Sequence, residues 1–123
     1  MEFFINKNAD LPLLKMQVVK DGRVDFDEMT NLIENSIIYF SMKNNLTGSY
    51  KILNSIGGFV EKTFIEPNAK VEYYIYYKFS PNDTSESGRY EGEFMLKSDY
   101  GTLLLPIADK LFITINDSVI QTV

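Results

Sequence analysis

The stretch Asn82–Ser87, Asn-Asp-Thr-Ser-Glu-Ser, carries a side-chain oxygen at every position. Asn82, Asp83 and Glu86 offer the amide and carboxylate oxygens that Ca²⁺ prefers in proteins. The stretch lacks the glycine and the spaced bidentate glutamate of an EF-hand loop. Its composition is more typical of a solvated turn, and we predict no metal site here.

A second group of acidic residues, Asp25, Asp27, Glu28 and Glu34, raises the question of acid/base chemistry. Two carboxylates flanking a glycosidic bond are the machinery of many glycosidases. The same residues also lie along a predicted helix, where Asp25 can cap the first turn and acids favour the N-terminal end. We favour the second interpretation.

The sequence contains no Cys and no His. These absences remove thiolate chemistry, Cys-ligated zinc, the commonest general base and the usual partner of a nucleophilic serine. No dinucleotide, phosphate-loop or nucleophile-elbow motif is present, and Gly57-Gly58 lacks the Lys-Ser/Thr partner of a phosphate loop. We therefore predict a non-enzymatic protein without cofactor or metal.

The charge and hydropathy of the chain also limit its partners. Lys and Arg number 12 against 17 Asp and Glu, which gives a net charge of −5, and the basic residues occur singly. Nucleic-acid binding needs clustered basic side chains, so we predict none. The apolar runs are far shorter than a membrane span, and the first residues lack the basic region of a signal peptide. We expect no membrane partner and synthesis in a cytosol.

The 123 residues fit one domain. Short alternating segments separated by turns predict about eight strands, of which the aromatic-rich residues 70–79 are the clearest. Helical spacing of Phe26, Met29, Leu32 and Ile33 predicts one short helical crossover near residues 26–35. No βαβ alternation is present, and the pattern indicates a β-sandwich.

Two apolar sets are candidate interaction residues. Residues 1–12 form a predicted arm before a single domain over 13–123, and Phe3, Phe4 and Ile5 either dock onto a partner or form an edge strand of their own domain. Tyr74 and Tyr76 share the outward side of the aromatic strand. They are interpreted as part of a cross-strand aromatic pair, a protein interface or a stacking surface for sugars.

The C-terminal half has a distinctive order: an aromatic strand, a polar loop with Asp83-Thr84, the pattern Gly88-x-Tyr90-x-Gly92-x-Phe94, a tight turn, Leu105-Pro106 and a closing strand. The N-terminal part adds a strand, an Asp-Gly turn and a second strand. Together, over about residues 11–116, these patterns resemble the immunoglobulin-like domains in virion proteins of tailed bacteriophages. The N-terminal domain of phage baseplate upper proteins is especially similar.

The resemblance implies an immunoglobulin-like antiparallel β-sandwich of about seven to nine strands with no active site. It also implies a structural role in a phage virion, as a head decoration, neck, tail or baseplate protein assembled in the host cytoplasm. Other virion proteins, and the chain itself, are the implied partners. Baseplate upper proteins usually continue into long trimerising regions, and this sequence does not, so we expect an adaptor or auxiliary subunit. The alternative is a host-surface or carbohydrate-binding module that uses Tyr74 and Tyr76.

The resemblance also assigns a structural role to Tyr90. In immunoglobulin domains a corner tyrosine lies two residues before the second Cys of the inter-sheet disulfide, and its hydroxyl bonds to upstream backbone. Gly92 occupies the position of that Cys. We expect a larger residue, Phe94, Tyr73 or Tyr77, to fill the space opposite Gly92.

Overall fold

The computed structural model of the chain describes residues 1–18, 33–62 and 72–119. These residues form nine strands, and buried side chains alternate with more exposed ones along β2, β3, β7 and β9. The strands are β1 (Glu2–Asn6), β2 (Leu14–Val18), β3 (Ile37–Asn44), β4 (Tyr50–Ile56), β5 (Gly58–Lys62), β6 (Glu72–Tyr77), β7 (Gly88–Ser98), β8 (Gly101–Leu105) and β9 (Leu111–Asn116).

The strands form two sheets that pack as a sandwich, which confirms the predicted all-β fold. The larger sheet has the order β1-β9-β7-β3-β4, with β8 also beside β7, and the smaller sheet has the order β2-β6-β5. Neighbours β9, β7 and β3 correspond to strands G, F and C of an immunoglobulin domain, and the smaller sheet corresponds to B, E and D. The pairing of β1 with β9 is parallel, so the larger sheet is mixed and not purely antiparallel as predicted.

Strand β7 is the central strand of the larger sheet, and it is long enough to pair with two strands, β9 and β8, along one edge. Its first half pairs with β9, from Gly88 to Gly92, and its second half pairs with β8, from Phe94 to Ser98. Its other edge pairs with β3 along that strand's whole length. Because side chains alternate along the strand, β7 contributes residues both to the core and to the outer face of the sheet.

The core between the sheets is centred on the ring of Phe40 in β3. This ring is fully buried, with ring centroids 4.8 Å from Tyr77, 5.0 Å from Phe94 and 5.9 Å from Phe79. Burial of a large aromatic side chain contributes about 1.5–3 kcal/mol relative to exposure. Phe40 joins the sheets because Tyr77 belongs to the smaller sheet and Phe94 to the larger one.

Gly92 provides the space that Phe40 needs. A Cβ atom at Gly92 would lie 2.6 Å from Cδ1 of Ile113 and 3.0 Å from the Phe40 ring. The space next to Gly92 is thus filled by Phe40 and Ile113 and not by the predicted Phe94 or Tyr77, whereas the side chain of Tyr73, the third candidate, lies outside the described part of the structure. Phe40 reaches this position through the antiparallel register of β3 with β7, in which Met42 is opposite Gly92 and Phe40 is opposite Phe94.

The segment 1–12 forms part of the sandwich edge. Strand β1 pairs with β9, Ile5 is buried in the core, and the Phe3 ring stacks on Phe79 at 6.0 Å. Of the two alternatives for Phe3–Ile5, the structure therefore has the edge strand. Phe4 points away from the core and remains exposed.

Gly57 and Gly58 mark the point where the chain passes from the larger sheet to the smaller one. The Gly57 N–H donates to the carbonyl of Ile38 in β3, whereas Gly58 already pairs with Tyr76 in β6. A Cβ at Gly57 would lie 2.6 Å from the Tyr76 carbonyl oxygen, and one at Gly58 would lie 2.7 Å from the Tyr76 ring. Close packing of this segment against Tyr76 of β6 accounts for the glycine pair.

The predicted crossover at 26–35, with the acidic residues Asp25, Asp27 and Glu28, lies outside the described residues except for its end. There Ile33 and Glu34 are helical, and Ile33 is buried in the core.

Replacing Gly92 should test the packing against Phe40. We expect Gly92→Ala to lower the free energy of unfolding by about 1–3 kcal/mol, because the added methyl overpacks the core. Urea unfolding of the purified variants measures this value.

The double variant Gly92→Ala/Ile113→Val provides the control. Valine lacks the Cδ1 atom that the new methyl would meet, and Ile113→Val alone should cost about 0.5–1.5 kcal/mol. We expect the double variant to be less destabilised than the sum of the two single changes. A cost equal to or greater than the sum would contradict the packing described here.

Candidate interaction surface

In the oxygen-rich loop at 80–87, Asp83 and Thr84 use their side-chain oxygens for hydrogen bonds within the chain. The Asp83 carboxylate accepts hydrogen bonds from the Tyr77 hydroxyl at 2.8 Å and from the Ser80 N–H at 2.9 Å. Thr84 is fully buried and donates its hydroxyl proton to the Ala9 carbonyl at 2.8 Å. Its own carbonyl accepts from the Asn8 N–H at 2.9 Å. The loop thus ties the end of β6 to the segment that follows β1.

Tyr90 completes this corner from the start of β7. Its ring is buried, and its hydroxyl donates to the Glu86 carbonyl at 2.9 Å. A hydrogen bond from the hydroxyl to backbone four residues upstream is the geometry of a tyrosine corner. Burial, and then the Glu86 carboxylate, raise the pKa of Tyr90 above its ordinary value.

Removing the Tyr90 hydroxyl should weaken the corner without disturbing the core. We expect Tyr90→Phe to lower the free energy of unfolding by about 0.5–1.5 kcal/mol, the net value of one hydrogen bond. Thermal or urea unfolding measures the change. Tyr100→Phe is the matched control, since that ring is 84% exposed at the tip of the β7–β8 hairpin. A Tyr90→Phe variant as stable as wild type would rule out the corner.

The stability that Tyr77 contributes to this corner depends on pH in the alkaline range. Burial, together with the hydrogen bond to the Asp83 carboxylate, raises the pKa of Tyr77 from 10.0 to about 12. The folded state therefore holds the proton more tightly than the unfolded state. Stability from this group is complete below pH 10 and is lost as the pH rises from 10 towards 12.

We expect the free energy of unfolding of the wild type to fall more steeply between pH 10 and 12 than that of Tyr77→Phe, because phenylalanine has no proton to release. Urea unfolding at a series of pH values measures both slopes. Equal slopes would show that Tyr77 titrates normally in the folded protein.

Among the described residues, no three acidic side chains converge to form a site that could hold a metal ion. In the same part of the chain no helix has the length and apolar character needed to cross a membrane.

Tyr74 and Tyr76 lie on the outer face of the smaller sheet, both half-buried. The Lys15 ammonium lies 5.4 Å from the centroid of the Tyr74 ring, a cation–π contact across the β2–β6 pair. The Tyr76 ring covers Gly58 on the other neighbouring strand. Both rings thus contact adjacent strands of their own sheet, Tyr74 through Lys15 of β2 and Tyr76 through Gly58 of β5.

The outer face of the larger sheet carries a row of apolar side chains that crosses four strands. Ile56 of β4 is opposite Tyr39 of β3, Tyr39 is opposite Met95 of β7, and Met95 is opposite Leu104 of β8. Residues opposite each other on neighbouring strands lie on the same face and contact one another. We call Ile56, Tyr39, Met95 and Leu104 the apolar ladder.

The apolar ladder is open to solvent and has apolar neighbours. Ile56 is 66% exposed and Leu104 46%, and Tyr39 and Met95 are half-buried between them. Ile37 and Leu53 extend the same face and are 55% and 62% exposed. Single exposed apolar residues are ordinary, but a contiguous set marks an interaction site. The ladder with Ile37 and Leu53 is named the outer apolar face.

A shallow groove of about 250 Å³ borders the apolar ladder. Its lining includes Ser41, a small residue of β3, together with Leu53 and Glu93. Ser41 is held in place by accepting a hydrogen bond from the Asn54 N–H at 2.9 Å. The groove gives the outer apolar face a depression beside its apolar row.

This surface was missed in the sequence, although a signal for it exists. A strand with one face in water alternates apolar and polar residues. Residues 37–40, Ile-Ile-Tyr-Phe, are apolar on both faces, and so are residues 103–105, Leu-Leu-Leu. The inward set forms the core. Core packing does not account for the apolar character of the outward set, Ile37, Tyr39 and Leu104.

Comparison of the chain with protein-family models, with curated proteins and with solved structures finds no match.

Proposed function

We propose that this chain is a non-enzymatic structural protein of a tailed-phage virion, an adaptor or auxiliary subunit of the head, neck, tail or baseplate. It acts through protein–protein contacts made by the outer apolar face. The observation that carries this proposal is the apolar ladder, which exposes four apolar side chains in register on a sheet whose other face already forms the core.

The composition of the outer apolar face fits a protein partner. Tyr and Met are enriched at protein interfaces, and charged residues are depleted from the interface centre and occur at its rim. Tyr39 and Met95 are the central members of the ladder, and Glu93 and Lys97 flank it on β7. Leaving such a set in water would favour aggregation, so a specific partner is the simpler explanation.

The virion setting rests on the sequence resemblance to immunoglobulin-like domains of phage virion proteins. The strand order and the Tyr90 corner are in keeping with that resemblance. Domains of this type have no shared active site, and contacts between subunits are their means of action.

A carbohydrate-binding role for Tyr74 and Tyr76 is less favoured. Sugar stacking needs an open aromatic face. Both rings are half-buried and lie against Lys15 and Gly58 of neighbouring strands. Loss of glycan binding by the isolated protein on Tyr74→Ala or Tyr76→Ala would nevertheless support this role over the structural one.

Incorporation into particles tests the proposal. In gradient-purified virions of a phage that encodes the chain, mass spectrometry should detect the chain at a fixed ratio to the other structural proteins. We expect Leu104→Glu, which places a charge on the outer apolar face, to reduce incorporation about tenfold or more through desolvation of that charge. Leu104 is exposed in the free chain, so the variant should fold normally.

Tyr100→Glu is the control, since this residue is also exposed but lies at a hairpin tip outside the outer apolar face. Its incorporation should equal that of wild type. Absence of the chain from purified particles would overturn the virion role, and equal incorporation of Leu104→Glu would remove the outer apolar face from it.

A further inference from the structure

The residues on either side of the apolar ladder have complementary properties. On β7, Glu93 and Lys97 lie two positions before and two positions after Met95, and both point outward. On β3, Ser41 and Ile37 bracket Tyr39 in the same way. One side of the ladder therefore has an acid and a depression, and the other side has a base and an apolar projection.

We propose that the outer apolar face binds a second copy of this chain, face to face, about a twofold axis that runs along the apolar ladder. The proposal rests on the outer apolar face being the contact surface assigned above, and it identifies the partner. Homodimers related by a twofold axis use the same patch on both copies, so the patch must be complementary to itself.

Rotation by 180° about the ladder places each side of one copy against the opposite side of the other. Two residues along a strand correspond to about 7 Å, so Glu93 and Lys97 lie at about equal distances from the axis. Glu93 of one copy then faces Lys97 of the second copy, and the reciprocal pair forms by symmetry. Within the described residues neither side chain is in an ion pair, so both are available.

The same rotation matches shape as well as charge. Ile37, which is 55% exposed, projects from β3 at the position related by the axis to Ser41. Ile37 of one copy therefore enters the groove above Ser41 of the second copy, twice in the dimer. The apolar ladders meet each other at the centre, at the spacing of about 10 Å typical of packed sheets.

A different axis would not give this match. An axis running along β7 would place Glu93 on Glu93 and Lys97 on Lys97, which is unfavourable on both sides of the ladder. Rotation about the ladder also sets Glu91, four positions before Met95, opposite Asp99, four positions after it. This like-charged pair is about 14 Å from the axis, twice as far out as the Glu93–Lys97 pairs. The charges close to the ladder therefore select the axis along it.

Charge reversal in separate copies tests the proposal by analytical ultracentrifugation of the purified chain. We expect wild type to form a dimer with a dissociation constant in about the micromolar range. Glu93→Lys alone and Lys97→Glu alone should each weaken the dimer about tenfold, because each variant places like charges together twice. An equimolar mixture of the two variants should recover wild-type affinity, since both contacts in the mixed dimer are then attractive.

Lys78→Glu is the matched control, because Lys78 is exposed and lies outside the larger sheet; its dimer should equal that of wild type. A monomeric wild type, or a mixture that associates no better than its components, would overturn the proposal. Those results would leave incorporation into particles unaffected, so failure of the twofold dimer is distinguishable from failure of the virion role.

Discussion

The fit of the Phe40 ring against the bare backbone of Gly92 is the contact on which both sheets depend. An immunoglobulin domain ties its sheets with a disulfide at this point, and this chain has no Cys. Here an aromatic ring from the larger sheet stacks on Tyr77 of the smaller one and packs so closely on position 92 that a Cβ there would lie 3.0 Å from the ring. Dense packing thus replaces a covalent link, and cores of this density tolerate little change in volume. The hydrogen bonds of Tyr90 and Asp83 fix the adjacent loop, so that β7 enters the sheet in the register that brings Gly92 under the ring.

Much of this architecture follows from the sequence by local rules. Alternation predicts the strands, and the spacing of Tyr90 and Gly92 places the corner once the immunoglobulin resemblance is recognised. The partner of Gly92 could not be found in this way, because Phe40 lies 52 positions earlier in the chain and only the register of β3 with β7 brings them together. The parallel pairing of β1 with β9 is similarly non-local. Periodicity places Phe3 and Ile5 on one side of a strand but does not specify the strand beside it.

The outer apolar face shows a different limit of sequence reasoning. Tyr74 and Tyr76 attract attention in the sequence because aromatic residues are concentrated there, yet both rings lie against their own sheet. Ile37, Tyr39 and Leu104 are less conspicuous because each neighbours a core residue in an apolar run. Only the pairing of four strands shows that their side chains form one row with Ile56 and Met95. The interaction surface is a property of register, and register is set by contacts between distant segments.

The pairing of β1 with β9 has a consequence for the order in which the domain forms. Phe3 and Ile113 are 110 positions apart (113 − 3), so their contact closes a loop that spans almost the whole domain. The entropic cost of closure increases with loop length, and such long-range contacts slow folding relative to local hairpins. We therefore expect the local β7–β8 and β3–β4 hairpins to form before β1 pairs with β9. During synthesis, Phe3 and Ile5 are made before the rest of this domain, yet they cannot pair with β9 until that strand has also been made.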